Sequence, residues 1–174
     1  MSEAVFARRQ ATVPVTAPVL ARWIALLLPI ALLGGALGSQ YLGGLYPCEM
    51  CYWQRWPHGA AILLAGLAFT APAPSHRSRA LTMAAAAAIT ISGAIGVYHA
   101  GVERGIFEGI TTCASTAAAA SSADLLKAIM KTPLVRCDQI QFAFLGVSMA
   151  GWNAILSLGG AAVIAWLTCK RRAA

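Results

Sequence analysis

Charge is scarce in this chain. Only 11% of its 174 residues are charged, with six acidic side chains against thirteen Lys and Arg, while 59% are hydrophobic. A soluble domain of this size carries about twice that share of charge, so a soluble globular fold is excluded and a membrane protein is implied. The basic excess of +7 forms no continuous stripe and sits beside apolar segments, which excludes a nucleic-acid surface and points to orientation in lipid. Other signatures are missing too. No histidine follows Cys51, so the Cys-x-x-Cys pair is not a c-type haem attachment site. No thioredoxin-like alternation of strands and helices surrounds it. Cys113, Cys137 and Cys169 are too dispersed to complete a zinc site of the usual spacing, so no metal centre is expected.

What is present centres on Pro47-Cys48-Glu49-Met50-Cys51-Tyr52-Trp53-Gln54-Arg55-Trp56, where a polar loop runs into an apolar segment. Two cysteines separated by two residues can close a small disulfide ring. A thiol at a helix start meets unpaired N–H groups and the positive end of the dipole, which favour the thiolate. With a helix beginning near Cys51, Arg55 falls one turn on, about 6 Å away on the same face, close enough to stabilise an anionic sulfur. Snorkelling to the interface is its plainer role. Gln54, Trp53 and Trp56 read as interface anchors.

The hydropathy pattern predicts an all-α membrane protein, a bundle of four transmembrane helices with one short and one long outer loop. The predicted spans are about 19–45, 52–71, 80–100 and 142–168, each near the 20 residues that cross a bilayer. A polar tail, residues 1–18, precedes them and a basic tail, 169–174, follows. The first span could be read as a signal peptide, since Ala36-Leu37-Gly38 resembles a cleavage site, but its apolar run is too long and further spans follow it. Gly93 and Gly96 give the third span a small-residue face for close helix contact. The outer loops cover about 40–51 and 101–141, the second far longer than an ordinary connection and therefore expected to be functional. Within it, Ser121-Ser122-Ala123-Asp124 followed by Leu125, Leu126, Ile129 and Met130 predicts a short amphipathic helix, either on the bilayer surface or packed on the bundle.

Four spans put both termini on one side. Arg8, Arg9, Arg22, Arg77, Arg79 and Lys170-Arg171-Arg172 gather on that face, so the positive-inside rule makes it cytoplasmic. Cys48, Cys51, Cys113 and Cys137 then share the outer, oxidising side, where disulfides persist, and Cys169 is left on the reducing side. Cys113 and Cys137, with 23 residues between them, would form a mobile, exposed bridge, either a staple for the loop or an exchangeable disulfide.

The Cys48-to-Arg55 motif, the Cys113 and Cys137 pair, Tyr98-His99-Ala100-Gly101-Val102-Glu103 and Phe144-Leu145-Gly146-Val147-Ser148-Met149-Ala150-Gly151-Trp152 together resemble the disulfide bond formation protein B (DsbB) family, over about residues 20–168. The resemblance implies a multi-pass enzyme of the bacterial inner membrane with periplasmic cysteine loops. It would reoxidise a periplasmic thioredoxin-like dithiol oxidase (DsbA-like) and pass two electrons to a membrane quinone, ubiquinone or menaquinone. It also implies roles: Cys113 is attacked by the partner's thiolate, Cys137 resolves, Cys48 exchanges with Cys137, and Cys51 faces the quinone with Arg55 holding the anion. His99 and Asn153 are further quinone-binding candidates, against the plainer readings that His99 faces water or a carbonyl and that Met149, Gly151 and Trp152 simply pack. The chain lacks an aromatic at Gln139 or Gln141 but has Phe142 and Phe144. A scaffold or metal-handling membrane protein, or a paralogue serving one dedicated oxidase, are the alternatives.

Overall fold

The computed structural model describes residues 16–109 and 135–169. Cys113, the helix expected after Ser121 and most of both tails lie outside the described residues. Four long helices carry the described chain: α1 (Thr16–Tyr41), α2 (Glu49–Ala68), α3 (His76–Glu103) and α4 (Met149–Cys169). Neighbouring helices pack in the order α1–α2–α3–α4 and back to α1, with light contact between α1 and α3 across one diagonal and less still between α2 and α4 across the other.

The interior is built of small residues. Ala21, Ala25, Ala61, Ala65, Ala85, Ala86 and Ala161 are buried around Ile89 and Ile164. Leu27, Leu63, Ile91, Ile155 and Trp166 point outward, each more than half exposed. Large apolar side chains outside and alanine inside invert the soluble pattern and match a bundle whose outer wall meets lipid tails. Helices α1, α3 and α4 are each long and apolar enough to cross a membrane. Helix α2 is 20 residues long but falls short in apolarity, because Glu49, Gln54, Arg55 and His58 interrupt its first half. The buried Thr82 and Thr168 hydroxyls each donate to the carbonyl four residues back.

Several expected boundaries shift. The N-terminal tail gives way to helix by Thr16, α2 starts three residues before the expected Tyr52, and α3 continues one turn beyond Ala100. The fourth span does not begin at Phe142. Residues Ala143–Phe144 (β1) and Val147–Ser148 (β2) pair antiparallel, Phe144 opposite Val147, so the main body is helical but the described chain is not wholly α. Leu145 (φ 52°) and Gly146 (φ 76°) make the two-residue turn, both in the left-handed region that suits a tight hairpin. The Ser148 hydroxyl then accepts the Gly151 N–H at 3.2 Å and starts α4. At Gly96 the backbones of α3 and α4 come close together, for a Cβ there would stand 3.0 Å from the Ala150 carbonyl oxygen.

Arg22 donates to the Ala68 and Ala71 carbonyls at 3.2 and 2.9 Å, and Arg79 to Thr168 O at 3.1 Å. These cations sit at the C-terminal ends of α2 and α4, where carbonyls lack helical partners and the dipole is negative. The cysteine motif occupies the opposite end of α2.

Candidate active site

Helix α2 starts at Cys48, whose backbone is extended (φ −76°, ψ 173°) and whose Sγ accepts the Cys51 N–H at 3.4 Å. The cap places Cys51 in the first turn, among N–H groups without helical partners. The Cys48 thiol donates to Cys51 Sγ across 3.1 Å. That bond, followed by burial, pushes the Cys48 thiol up to about 12, so a singly deprotonated pair carries its charge on Cys51.

His99 of α3 is not at the water surface, since only 3% of it is exposed. The Gln54 side-chain amide nitrogen donates to the Met50 carbonyl at 3.1 Å and to His99 Nδ1 at 2.9 Å. His99 therefore carries its hydrogen on Nε2, which faces Cys48 Sγ at 3.6 Å and Glu103 Oε1 at 3.8 Å. Cys48, Cys51 and His99 offer ligand-type atoms all within 4.8 Å of one another, a constellation that the spacing of the other cysteines did not suggest.

Arg55 lies where the helical spacing placed it, but α1 holds its guanidinium. It donates to Gln40 Oε1 and to the Ala36 carbonyl, and it rests 5.3 Å above the Tyr52 ring. Its Nε is buried with no hydrogen-bond partner among the described residues. Cys137, expected on a mobile exposed bridge, is instead buried at 4% exposure in one cluster with Cys48, Met50 and Val102, with Cys51 packed against it. The chain after β2 closes the site from another side, where Trp152 Nε1 donates to the Phe144 carbonyl at 3.0 Å.

Cys48, Cys51, Arg55, His99 and Trp152 open on one cavity of about 300 Å³. Its walls include Leu32, Leu33 and Ala36 of α1 and Phe142, Phe144 and Trp152; Cys48, Cys51, Arg55, His99 and Asn153 supply polar edges. A mostly apolar cleft with a few convergent polar groups is the usual form of a small-molecule site. A family model described as disulfide bond formation protein DsbB matches residues 19–167. The chain belongs to the DsbB family.

Disulfide bond formation protein B of Methylococcus capsulatus (strain ATCC 33009 / NCIMB 11132 / Bath) is 29% identical over 151 residues, spanning 81% of this chain and 89% of that protein. Uncharacterized protein RP370 of Rickettsia prowazekii (strain Madrid E) is 23% identical over 138 residues, 78% of each chain. No solved structure matches the chain. As a DsbB-family protein it is a membrane disulfide oxidoreductase.

Within this DsbB-family site the structure brings Cys48, Cys51, Cys137, Arg55, His99 and Asn153 to one end of the bundle, while Cys113 lies outside the described residues. Met149 and Trp152 line the cavity as well. The sequence reading treated Gln54 as an interface anchor, yet it is 6% exposed and orients His99; Trp56, at 78%, does face outward. It missed His58, Ser92 and Ser157, which join Asn153 in a buried hydrogen-bonded cluster. A signal existed. Cys51, Gln54 and His58 repeat at three- and four-residue spacing along one helix face, and polar residues within apolar segments mark functional interiors.

Proposed function

We propose that this protein reoxidises a periplasmic thioredoxin-like dithiol oxidase of the DsbA kind and delivers the electrons, through two cysteine pairs, to ubiquinone or menaquinone. The observation that carries this reading is a pair of sulfurs 3.1 Å apart on the wall of an apolar cavity, with Cys137 buried against the same pair.

The electron count closes at each exchange. The partner's thiolate attacks Cys113 of a Cys113–Cys137 disulfide and releases Cys137; the partner's second thiol then completes its own disulfide. Cys137 thiolate attacks Cys48 of a Cys48–Cys51 disulfide and releases Cys51; Cys113 resolves that adduct and restores its own bridge. The Cys48–Cys51 dithiol is left holding two electrons and two protons. A quinone supplies a lipid-soluble acceptor for both pairs, becoming hydroquinone as the disulfide reforms. The cavity's apolar wall, the His99 Nε2–H and the unpartnered Arg55 Nε suit a flat ring with polar oxygens. Cys51 carries the charge beside it, and Arg55 stabilises anionic sulfur or reduced ring.

The proposed orientation puts the cysteine end in the periplasm and the termini in the cytoplasm of the inner membrane, supported by the basic residues gathered at the opposite end. An anaerobic assay with purified protein, reduced thioredoxin-like partner and quinone tests the reading. Quinone is consumed by the wild type, Cys51→Ser falls to background, and a chelator changes nothing. The cluster of Cys48, Cys51 and His99 supports a second reading, a soft-metal site; it predicts chelator-sensitive metal retention and no quinone loss.

A further inference from the structure

The inner wall of the cavity carries a second imidazole, which the thiol chemistry leaves unused. His58 is 3% exposed and lines the cavity with Asn153. Counting hydrogens fixes its tautomer. Asn153 Nδ2 lies 3.2 Å from the Ser92 carbonyl and 2.8 Å from Gln54 Oε1, both acceptors, so Asn153 Oδ1 is the atom 2.9 Å from His58 Nε2. The single Ser92 hydroxyl hydrogen goes to the Gln54 carbonyl at 2.8 Å, so towards His58 Nε2, 3.0 Å away, Ser92 Oγ can only accept. With acceptors on both sides, Nε2 must carry the hydrogen of the neutral ring, and Nδ1 is a bare lone pair. That Nδ1 is buried and has no hydrogen-bond partner among the described residues.

The two imidazoles on this cavity are therefore opposite in kind. His99 presents a donor beside the sulfurs, and His58, a residue of the cavity lining, carries a buried acceptor that no described residue satisfies. A buried acceptor is normally satisfied, so an occupant drawn up against His58 Nδ1 has to bring a hydrogen. An oxidised quinone ring has only acceptors; a hydroquinone has two hydroxyl hydrogens. We infer that His58 Nδ1 is the hydrogen-bond acceptor for a hydroxyl of hydroquinone, so that the cavity binds the reduced ring in preference to the oxidised one. The inference rests on the quinone reading above and deepens it. Tighter binding of the reduced ring raises the potential of the bound carrier, by about 30 mV for a tenfold preference in a two-electron couple, and pulls electrons from the Cys48–Cys51 pair.

Equilibrium binding tests this without turnover. Full-length protein in detergent micelles is titrated anaerobically with a short-chain ubiquinone in its disulfide form, and with the corresponding hydroquinone in its dithiol form, so that no electrons can pass. Tryptophan fluorescence reports both Kd values. His58→Leu should weaken hydroquinone binding relative to quinone binding by about tenfold, the scale of one lost hydrogen bond to a buried acceptor, and His58→Gln, which keeps an acceptor, should restore most of the ratio. An unchanged ratio in His58→Leu overturns the inference. Wild-type protein labelled with ¹⁵N-histidine gives a reading independent of folding variants: the His58 Nδ1 resonance should move on adding hydroquinone and hold on adding quinone. Equal movement with both, or with neither while both bind, overturns the inference alone; a wild type that binds neither probe removes the quinone reading with it.

Discussion

Cys48 keeps its proton because Cys51 Sγ accepts it and because the thiol is buried, and the two effects together set which sulfur reacts. Up to about 12 the folded protein holds a proton that an ordinary thiol releases near 9. The pair therefore contributes stability at neutral pH that is lost as pH rises through that interval. In reduced protein, iodoacetamide at pH 7 should modify Cys51 and spare Cys48, as read by peptide mass spectrometry. Cys51→Ser removes the larger cause, so Cys48 should become alkylatable at lower pH; a pH profile for Cys48 unchanged by that substitution would refute the assignment. A partner whose second cysteine is replaced by serine should be trapped as a mixed disulfide on Cys113 of the disulfide form, releasing Cys137, and an adduct through Cys48 instead would reverse the proposed order. Much of this site was legible in sequence because its geometry is local. Cys48, Cys51 and Arg55 lie within two turns of one helix, whose spacing fixes their face. The orienting partners were not, because Gln54 meets His99 and His58 meets Asn153 only through the packing of three helices.

At the level of elements, the α3–α4 contact is the one that holds the cavity's inner wall. Gly96 lets the helices close until a Cβ would stand 3.0 to 3.1 Å from Ala150 O, Ala154 N and the Asn153 amide nitrogen, two of them backbone atoms that cannot swing away. Gly96→Ala should therefore cost about 1–3 kcal/mol, the usual penalty of overpacking, and displace Asn153. Gly34→Ala, where nothing lies within 4 Å, should leave thermal unfolding in detergent unchanged. Equal melting of the two variants would show that the close approach is not tight. The small-residue face of α3 was readable from Gly93 and Gly96 alone. The hairpin before α4 was not, since Phe142 to Ala150 is apolar enough to extend a span, and only the left-handed turn at Leu145 and Gly146 keeps the helix from starting before Met149.

Across the whole molecule, two ends of opposite character define a direction. Arg22 and Arg79 bind helix C-terminal carbonyls at one end, with exposed Cys169 beside them at the end of α4; the cysteine motif and the 92%-exposed Leu42 mark the other. A cation is costly to carry across a bilayer, so the proposed orientation keeps the arginine-rich end where the chain was made and puts the cysteine end on the far side. The relay needs that sidedness, because a disulfide donor facing the reducing cytoplasm would be drained by thiols before reaching its partner. A membrane-impermeant maleimide applied to intact cells expressing Leu42→Cys should label residue 42 at once and Cys169 only after the membrane is permeabilised. The reverse pattern would place both cysteine pairs among cytoplasmic reductants, whose thiols would then feed the relay in place of the periplasmic partner, and the proposed function would fail whatever the cavity binds.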